Sequence, residues 1–498
     1  MHRAIGEGLR MSWRSWRGAG GAGELIRLSL PFILSNSFWT LQITIDRVLL
    51  SQYSSESVAA AMPAVLVFWA PLALLQNTAG YATTFVSQYV GASRPRRVGP
   101  AVWQGLHFGV WTGIAFLFLL PCSDWLISLG DHAPALQELE AVYFRCLCFS
   151  ALPTLIVAAV SSFFAGRGDS WTVLSINGVG LCVNAALDYA WIFGRWGFPQ
   201  AGIEGAGWAT VAGTWVSALF SLALFLRKRY RAEYETLTGW RLEPDLFGRL
   251  LRYGVPNGML YFMDCLAFVA FTFVVGKLGS AELAASSIAF SINMVAVLPM
   301  VGIGQGITVL VGQRLGENRP DLAERTTWTG FRFIWGYMTL VATLYLVFPG
   351  LFVQLFLNEQ EVTAASRVAA MVPILLRFVA VYTLFDSMNL VFSFALKGAG
   401  DTQYVTCMSV ALAWPLMVLP TYASLKFQWG LYWAWTFASV YIIALAMVFL
   451  LRFRSGKWKS MRVIEDAPAC EEMGAPGEPA ESGEAPARPE SQPVRDAI

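Results

Sequence analysis

Charged residues are scarce in this chain, and their scarcity excludes an ordinary soluble domain. Only 14% of the 498 residues are Asp, Glu, Lys or Arg, whereas soluble domains carry about 25%. Hydrophobic residues make up 56% of the sequence, which is more apolar surface than a soluble core can use. A hydrocarbon core about 30 Å thick asks for about 20 apolar residues per helix. The composition therefore predicts a polytopic α-helical membrane protein.

Signatures of cofactor chemistry are missing as well. His2, His107 and His132 are isolated in the sequence and the seven cysteines show no metal-ligand spacing, so no histidine- or cysteine-ligated metal is expected. The closely spaced glycines at 301–306 lie inside an apolar run with no preceding strand, and no ATP-binding motif is present. We therefore predict a protein that is not an enzyme, needs no cofactor and binds no nucleic acid. Any uphill work must draw on an ion gradient.

Twelve apolar stretches are long enough to cross a bilayer. Their approximate bounds are 25–50, 58–86, 100–121, 139–165, 171–194, 203–226, 249–276, 283–311, 326–348, 365–396, 403–424 and 430–452. Lys and Arg cluster on alternate sides of these stretches, in the N-terminal tail, 94–97, 227–231, 314–325 and 452–462. By the positive-inside rule, both termini of a multi-pass protein of the plasma (inner) membrane are expected in the cytoplasm.

An internal repeat relates the two halves of the chain. Gln88, Gly91, Trp103 and Gly105 recur 225 residues later as Gln313, Gly316, Trp328 and Gly330. Further on, "GRGDS" at 166–170 corresponds to "GAGDT" at 398–402, at an offset of 232. Each half holds six spans, an even number, so the halves have the same orientation and are parallel repeats about an axis along the membrane normal.

The predicted fold is therefore all-α, with twelve transmembrane helices in two six-helix lobes around a central cavity. The predicted segments are an N-terminal tail 1–24, an N-lobe 25–226, a cytoplasmic linker 227–248, a C-lobe 249–452 and a cytoplasmic tail 453–498. The tail is rich in proline and acidic residues and is expected to be disordered. Two lobes around one cavity favour alternating-access transport. A channel is a further alternative, although channels more often build a pore from several subunits.

At this point the sequence resembles the multidrug and toxic compound extrusion (MATE) family. The resemblance covers about residues 25–452 and rests on "LPFILSNSFWTLQITIDRVLLSQYSSESVAA", on the "QYVGASRP" and "QRLGENRP" pair, on "GVPNGMLYFMD" and on the GxGD[ST] turns. It implies a monomeric, cation-coupled antiporter in the lipid bilayer. Its substrates are expected to be small organic cations and other amphiphiles, exported in exchange for inward Na⁺ or H⁺.

The resemblance also implies a cation site in the N-lobe. Asp46, Asn184 and Asp188 match the family's coupling positions, and Ala206 and Thr210 match positions that offer a backbone carbonyl and a hydroxyl. Na⁺ is a hard cation that takes oxygen ligands, so one expectation is a sodium site at Asp46, Asn184, Asp188 and Thr210. The carboxylate pair also suits a proton, because two adjacent carboxylates cannot both ionise easily at low dielectric. The residue types leave the coupling ion open.

Two further carboxylates lie in the C-lobe spans. Asp264 follows Pro256 by eight residues and Asp386 precedes Gly398 by twelve, at positions where the NorM-type branch carries functional acids. They are expected to form a substrate or second-lobe site, and the chain thus combines NorM-type and DinF-type features. Arg47 departs from the family, which usually has a small or hydroxylated residue there. Its side chain either reaches the outer interface or turns inward and competes with the cation.

One alternative function comes from the same superfamily. A flippase for lipid-linked oligosaccharides or peptidoglycan precursors moves an anionic substrate, and its cavity would need Arg or Lys within the spans. The deeply placed charges in this sequence are acidic, which favours export of cations.

Overall fold

Twelve long helices make up the part of the chain that the computed structural model describes, which is residues 18–128, 130, 132–354 and 364–465. They are α1 Ala22–Tyr53, α2 Ser55–Gly91, α3 Pro95–Ser128, α4 Pro134–Gly166, α5 Ser170–Phe193, α6 Gly202–Phe225, α7 Pro244–Leu278, α8 Ser280–Gly316, α9 Pro320–Val347, α10 Ala364–Ala399, α11 Thr402–Lys426 and α12 Leu431–Arg454. The all-α, twelve-helix prediction is confirmed.

Local sequence explains where several helices begin. Pro134, Pro244 and Pro320 occupy first helical positions, where a missing N–H costs no hydrogen bond. Asp169, in the first GxGD[ST] turn, caps α5: its carboxylate accepts from the Thr172 N–H (3.3 Å) and from the Thr172 hydroxyl (2.7 Å).

Eleven of these helices are long and apolar enough to cross a membrane by length and composition, within the described residues. The remaining one is α1, whose apolar sequence is interrupted by Ser35, Asn36 and Gln42. Those three side chains line a cavity inside the bundle. The lower hydropathy of α1 is therefore a consequence of its polar, inward-facing stripe.

The C-terminal ends of the even-numbered helices lie at one end of the bundle. Segments that contain arginine and lysine follow those helices, so we call this end of the bundle the basic end. They are 94–97, 227–231, 314–325 and 452–462. The other end carries few basic residues.

Two equivalent glutamines join the lobes at the basic end. Gln88 Nε2 donates to the Gly398 carbonyl (3.2 Å), and Gln313 Nε2 donates to the Gly166 carbonyl (2.8 Å). Gly166 and Gly398 are themselves equivalent, as the first glycines of the two GxGD[ST] turns. The contact is reciprocal, as a two-fold relation between the repeats requires.

The helices that carry these glutamines touch at glycines. A Cβ on Gly91 would lie 1.9 Å from the Gln313 carbonyl oxygen, and a Cβ on Gly316 would lie 2.2 Å from the Gln88 carbonyl oxygen. Both neighbours are backbone atoms, which cannot move aside as a flexible side chain can. Only glycine allows α2 and α8 to approach this closely.

Residues 453–464 pack onto the basic end. Trp458 is fully buried, and the Val463 N–H donates to Gln88 Oε1 (2.9 Å). In this range the structure differs from the sequence-based prediction of a disordered tail, because a few apolar side chains among the basic residues are enough to dock the segment. The rest of the predicted tail, 466–498, lies outside the described residues.

Candidate functional site

A cavity of about 760 Å³ lies between the lobes and is lined by both. Its volume is that of a pocket for a drug-sized molecule. Aromatic side chains supply much of the wall: Trp39 and Trp69 of the N-lobe lie with ring centroids 5.2 Å apart, and Tyr261 and Phe394 come from the C-lobe. Aromatic faces attract organic cations as well as apolar groups.

The structure brings the predicted N-lobe residues together at one place. Asn184 and Asp188 lie one turn apart on α5 and are almost completely buried. Asn184 Nδ2 donates to the Thr210 hydroxyl (3.3 Å), which in turn donates to the Ala206 carbonyl (3.1 Å). Asp46 of α1 lies against Asp188. Helices α1, α5 and α6 thus converge on this site, and Asp46, Asn184 and Thr210 also line the cavity.

Several acceptor oxygens at this site have no hydrogen-bond partner within the described part of the chain. They are Asp46 Oδ1, Asn184 Oδ1 and both carboxylate oxygens of Asp188. Buried acceptors are normally paired, because an unpaired polar group costs free energy. A cluster of unpaired oxygens from two carboxylates and an amide is therefore suited to a small cation or a proton.

Sequence reasoning missed one residue of this site. Tyr143 on α4 is buried beside Asp46, Asp188 and Thr210, close enough for its hydroxyl to interact with all three. One tyrosine within a long apolar span carries no distinguishing signal. Its place depends on how α4 packs against α5 and α6, which the sequence pattern does not specify.

Arg47 takes the outward alternative. Its side chain is exposed, and its guanidinium contacts the Met62 sulfur (Nη2–Sδ 2.7 Å). Neighbouring helix residues point about 100° apart, which follows from 3.6 residues per turn. Arg47 therefore faces away from the site while Asp46 faces into it.

The C-lobe carboxylates form a separate polar cluster. Asp386 accepts a hydrogen bond from Asn389 Nδ2 (3.1 Å). Asp264 is exposed, and its charge interacts with those of Asp386 and Lys397. Neither carboxylate is among the residues that line the central cavity.

A basic residue also lies deep in the structure, which corrects the expectation that the deep charges are all acidic. Lys397 is 7% exposed and lines the cavity. The sequence placed it just beyond the span 365–396, whereas α10 extends to Ala399.

Within the described residues, no three His, Cys, Asp or Glu side chains form a group that could hold a metal ion. Two repeated lobes, a cavity between them and an oxygen-rich pocket beside it form the architecture of a membrane transporter.

Comparison with known proteins identifies the family. A family model described as MatE matches residues 31–190 and 256–423, one stretch in each lobe, which together cover more than half of the chain. The protein belongs to the MATE family of efflux transporters, so it is a membrane transporter and not an enzyme. The resemblance seen in the sequence motifs is confirmed.

Individual relatives agree with this assignment. The chain is 25% identical over 445 residues to a probable multidrug resistance protein NorM of Thermotoga maritima, covering 89% of this chain and 94% of the relative. It is 28% identical over 411 residues to the multidrug resistance protein NorM of Burkholderia vietnamiensis, covering 82% and 88%. Among solved structures, an outward-facing multidrug resistance MATE transporter of the MOP superfamily matches with a TM-score of 0.80 at 21% identity, covering 90% of this chain and 98% of that one. A MOP superfamily transporter from Pyrococcus furiosus matches with a TM-score of 0.79 at 20% identity and the same coverage.

Proposed function

We propose that the protein is a secondary antiporter that exports organic cations and amphiphilic drugs or toxins in exchange for Na⁺ or H⁺. The observation that carries the proposal is the cluster of unpaired oxygens on Asp46, Asn184 and Asp188, which adjoins a drug-sized cavity. The names of the NorM relatives, which are multidrug resistance proteins, support this substrate class.

The N-lobe residues fit a coupling cation. Asp46, Asn184, Asp188 and the Thr210 hydroxyl offer oxygen ligands of the kind that hard cations take. The Ala206 carbonyl adjoins them through the Thr210 hydroxyl. A bound Na⁺ would offset one of two negative charges that are costly to hold side by side at low dielectric, and a shared proton would do the same. The proposal therefore includes both Na⁺ and H⁺ as coupling ions.

Ion and substrate transport are coupled when the cation site and the cavity are accessible from the two sides of the membrane alternately. The interlobe contacts through Gln88 and Gln313 close the basic end, and rocking of the lobes would open it. We assign the basic end, and with it both termini, to the cytoplasm of the plasma membrane. Both lobes of one chain line the cavity, which supports a monomer as the working unit.

Efflux from proteoliposomes tests the proposal. Vesicles that contain the purified protein and a fluorescent cationic dye are given an inward Na⁺ gradient in one series and a pH gradient in another. We expect uphill dye movement with one of the two gradients and none when neither is imposed. Dye movement that is only ever downhill, with ohmic currents under voltage clamp, would instead identify a channel.

Asp264 and Asp386 are assigned to substrate binding in the C-lobe rather than to ion coupling. We expect Asp264→Asn and Asp386→Asn each to raise the KM for a cationic dye about tenfold, the effect of losing one charge-assisted interaction. The ion gradient should still drive export. The exposed Asp124, changed to asparagine, is the matched control. Unchanged KM in both variants would limit the C-lobe carboxylates to a structural role.

A further inference from the structure

Lys397 is fixed at the wall of the central cavity by its own backbone. It lies in the last turn of α10, where its carbonyl accepts a hydrogen bond from the Tyr81 hydroxyl (2.8 Å). The next carbonyl, of Gly398, accepts from Gln88. Both donors belong to the N-lobe. The lysine stem is thereby held at the interface between the lobes, and the side chain is directed along the cavity wall.

The ammonium group lies between two aromatic rings. Nζ is 4.8 Å from the centroid of Tyr261 and 4.9 Å from that of Phe394. It makes neither an ion pair nor a hydrogen bond with the residues that the structure describes. Aromatic faces attract the positive charge of the ammonium, but they are much weaker hydrogen-bond acceptors than oxygen atoms, so they do not satisfy its three N–H donors. The hydrogen-bonding capacity of Lys397 is therefore available to the cavity.

The fold itself does not require a lysine at this position. The internal repeat pairs Lys397 with Ala165, which stands at the same place before the first GxGD[ST] turn and also lines the cavity. A cation favours the end of a helix, but in α4 that cation is the C-cap Arg167, which is not among the residues that line the cavity. The charge of Asp264 interacts with that of Lys397, but the two side chains lie beyond ion-pair distance. Asp264 therefore does not occupy the hydrogen-bond donors of the ammonium group.

The charges around the cavity have opposite signs. Among the described residues that line it, only Asp46 and Lys397 are charged. Asp264 lies three residues after Tyr261, a rise of about 4.5 Å along the axis of α7. Acidic groups for a substrate amine and a basic group for a substrate anion are thus both within the interlobe region.

We infer that Lys397 is an anion-binding subsite of the cavity and that it takes the carboxylate of zwitterionic amphiphiles. This inference rests on the proposed export function and narrows its substrates to molecules that carry both a cationic centre and a carboxylate. The ammonium donates hydrogen bonds to the carboxylate, while Tyr261 and Phe394 pack against the apolar body of the substrate.

A matched pair of probes tests the inference. One probe is a rhodamine carboxylic acid that is zwitterionic at neutral pH, and the other is its methyl ester, a monocation with the same ring system. Binding is measured by fluorescence anisotropy on the purified full-length protein, and efflux is measured in proteoliposomes. We expect Lys397→Met to raise the Kd of the zwitterion about tenfold and to leave the ester within about twofold, because a charge-assisted hydrogen bond is worth a factor of that order. Lys397→Arg, which keeps the charge, should retain most of the preference.

Lys277 provides the matched control. It also lies on an aromatic ring, with Nζ 4.5 Å from the Phe273 centroid, but it is not among the residues that line the cavity. Lys277→Met should change neither Kd. Equal weakening of both probes by Lys397→Met, or no change in either, would overturn the inference. Because binding needs no gradient, failure of the proposed antiport appears separately, as wild-type protein that binds the ester but never exports it uphill.

Discussion

Changing Asp188 to asparagine is expected to abolish ion-driven export while leaving the folded protein at least as stable as wild type. The carboxylate is fully buried, lies against Asp46 and has two oxygens without a partner in the described chain. Asparagine keeps the shape but removes the charge that attracts the coupling ion. Loss of one charged partner costs about 1.5–3 kcal/mol, so we expect uphill efflux below about a tenth of the wild-type rate.

Thermal stability separates this role from a purely structural one. A structural anchor would lose hydrogen bonds on substitution and melt earlier, whereas an unpaired buried carboxylate costs free energy that asparagine does not incur. We expect the Tm of Asp188→Asn to be equal or higher. An ion that binds only the folded state also raises the Tm, and this ion-dependent increase should disappear in the variant.

Asp124→Asn is the control for the chemistry of the substitution. Asp124 is exposed and pairs with Arg145 at the surface, where an ion pair contributes little. Asp46→Asn should reproduce the transport loss of Asp188→Asn because the two carboxylates share one site. Wild-type uphill efflux in either variant, at equal reconstitution, would remove that residue from the coupling site.

The parts of this site that could be predicted are those that sequence composition makes conspicuous. Asp188 stands out because a carboxylate is rare in an apolar span, and Asn184 one turn away marks the same helix face. The repeat was visible because Gln88 and Gly91 recur at a constant offset. Those patterns depend on residues that are close in sequence or in register, so no tertiary information was needed.

The features that were missed depend on contacts between distant segments. Lys397 follows the predicted span directly and adjoins a glycine-rich turn, so it resembles a loop residue until Tyr81 and Tyr261 are seen around it. Tyr143 reaches the acidic pair only through the packing of α4. Trp458 is fully buried as part of the hydrophobic core, and the pattern of its own short segment does not indicate that burial.

The reciprocal glycine contact leads to the second large expected effect. Gly316→Leu should prevent the basic end from closing, because its Cβ alone would lie 2.2 Å from the Gln88 carbonyl oxygen. Overpacking of this kind costs about 1–3 kcal/mol. Rocking of the lobes can relieve the clash without unfolding either lobe. The equilibrium between the closed and the open conformation should therefore shift by about 5- to 150-fold toward the one that is open at the basic end. Efflux should fall by a similar factor.

Cys265 reports this shift directly, because it lines the cavity. In a variant that retains Cys265 as its sole cysteine, a membrane-impermeant maleimide applied from the basic side should label Gly316→Leu faster than the glycine parent. Gly91→Leu should behave in the same way, since the contact is reciprocal, with its Cβ 1.9 Å from the Gln313 carbonyl oxygen. Gly336→Leu is the matched control, because no atom lies within 4 Å of a Cβ built at that glycine. A large fall in Tm without faster labelling would show that the two glycines only pack a rigid interface. Labelling and efflux equal to those of wild type would show that this contact is not part of the closed state.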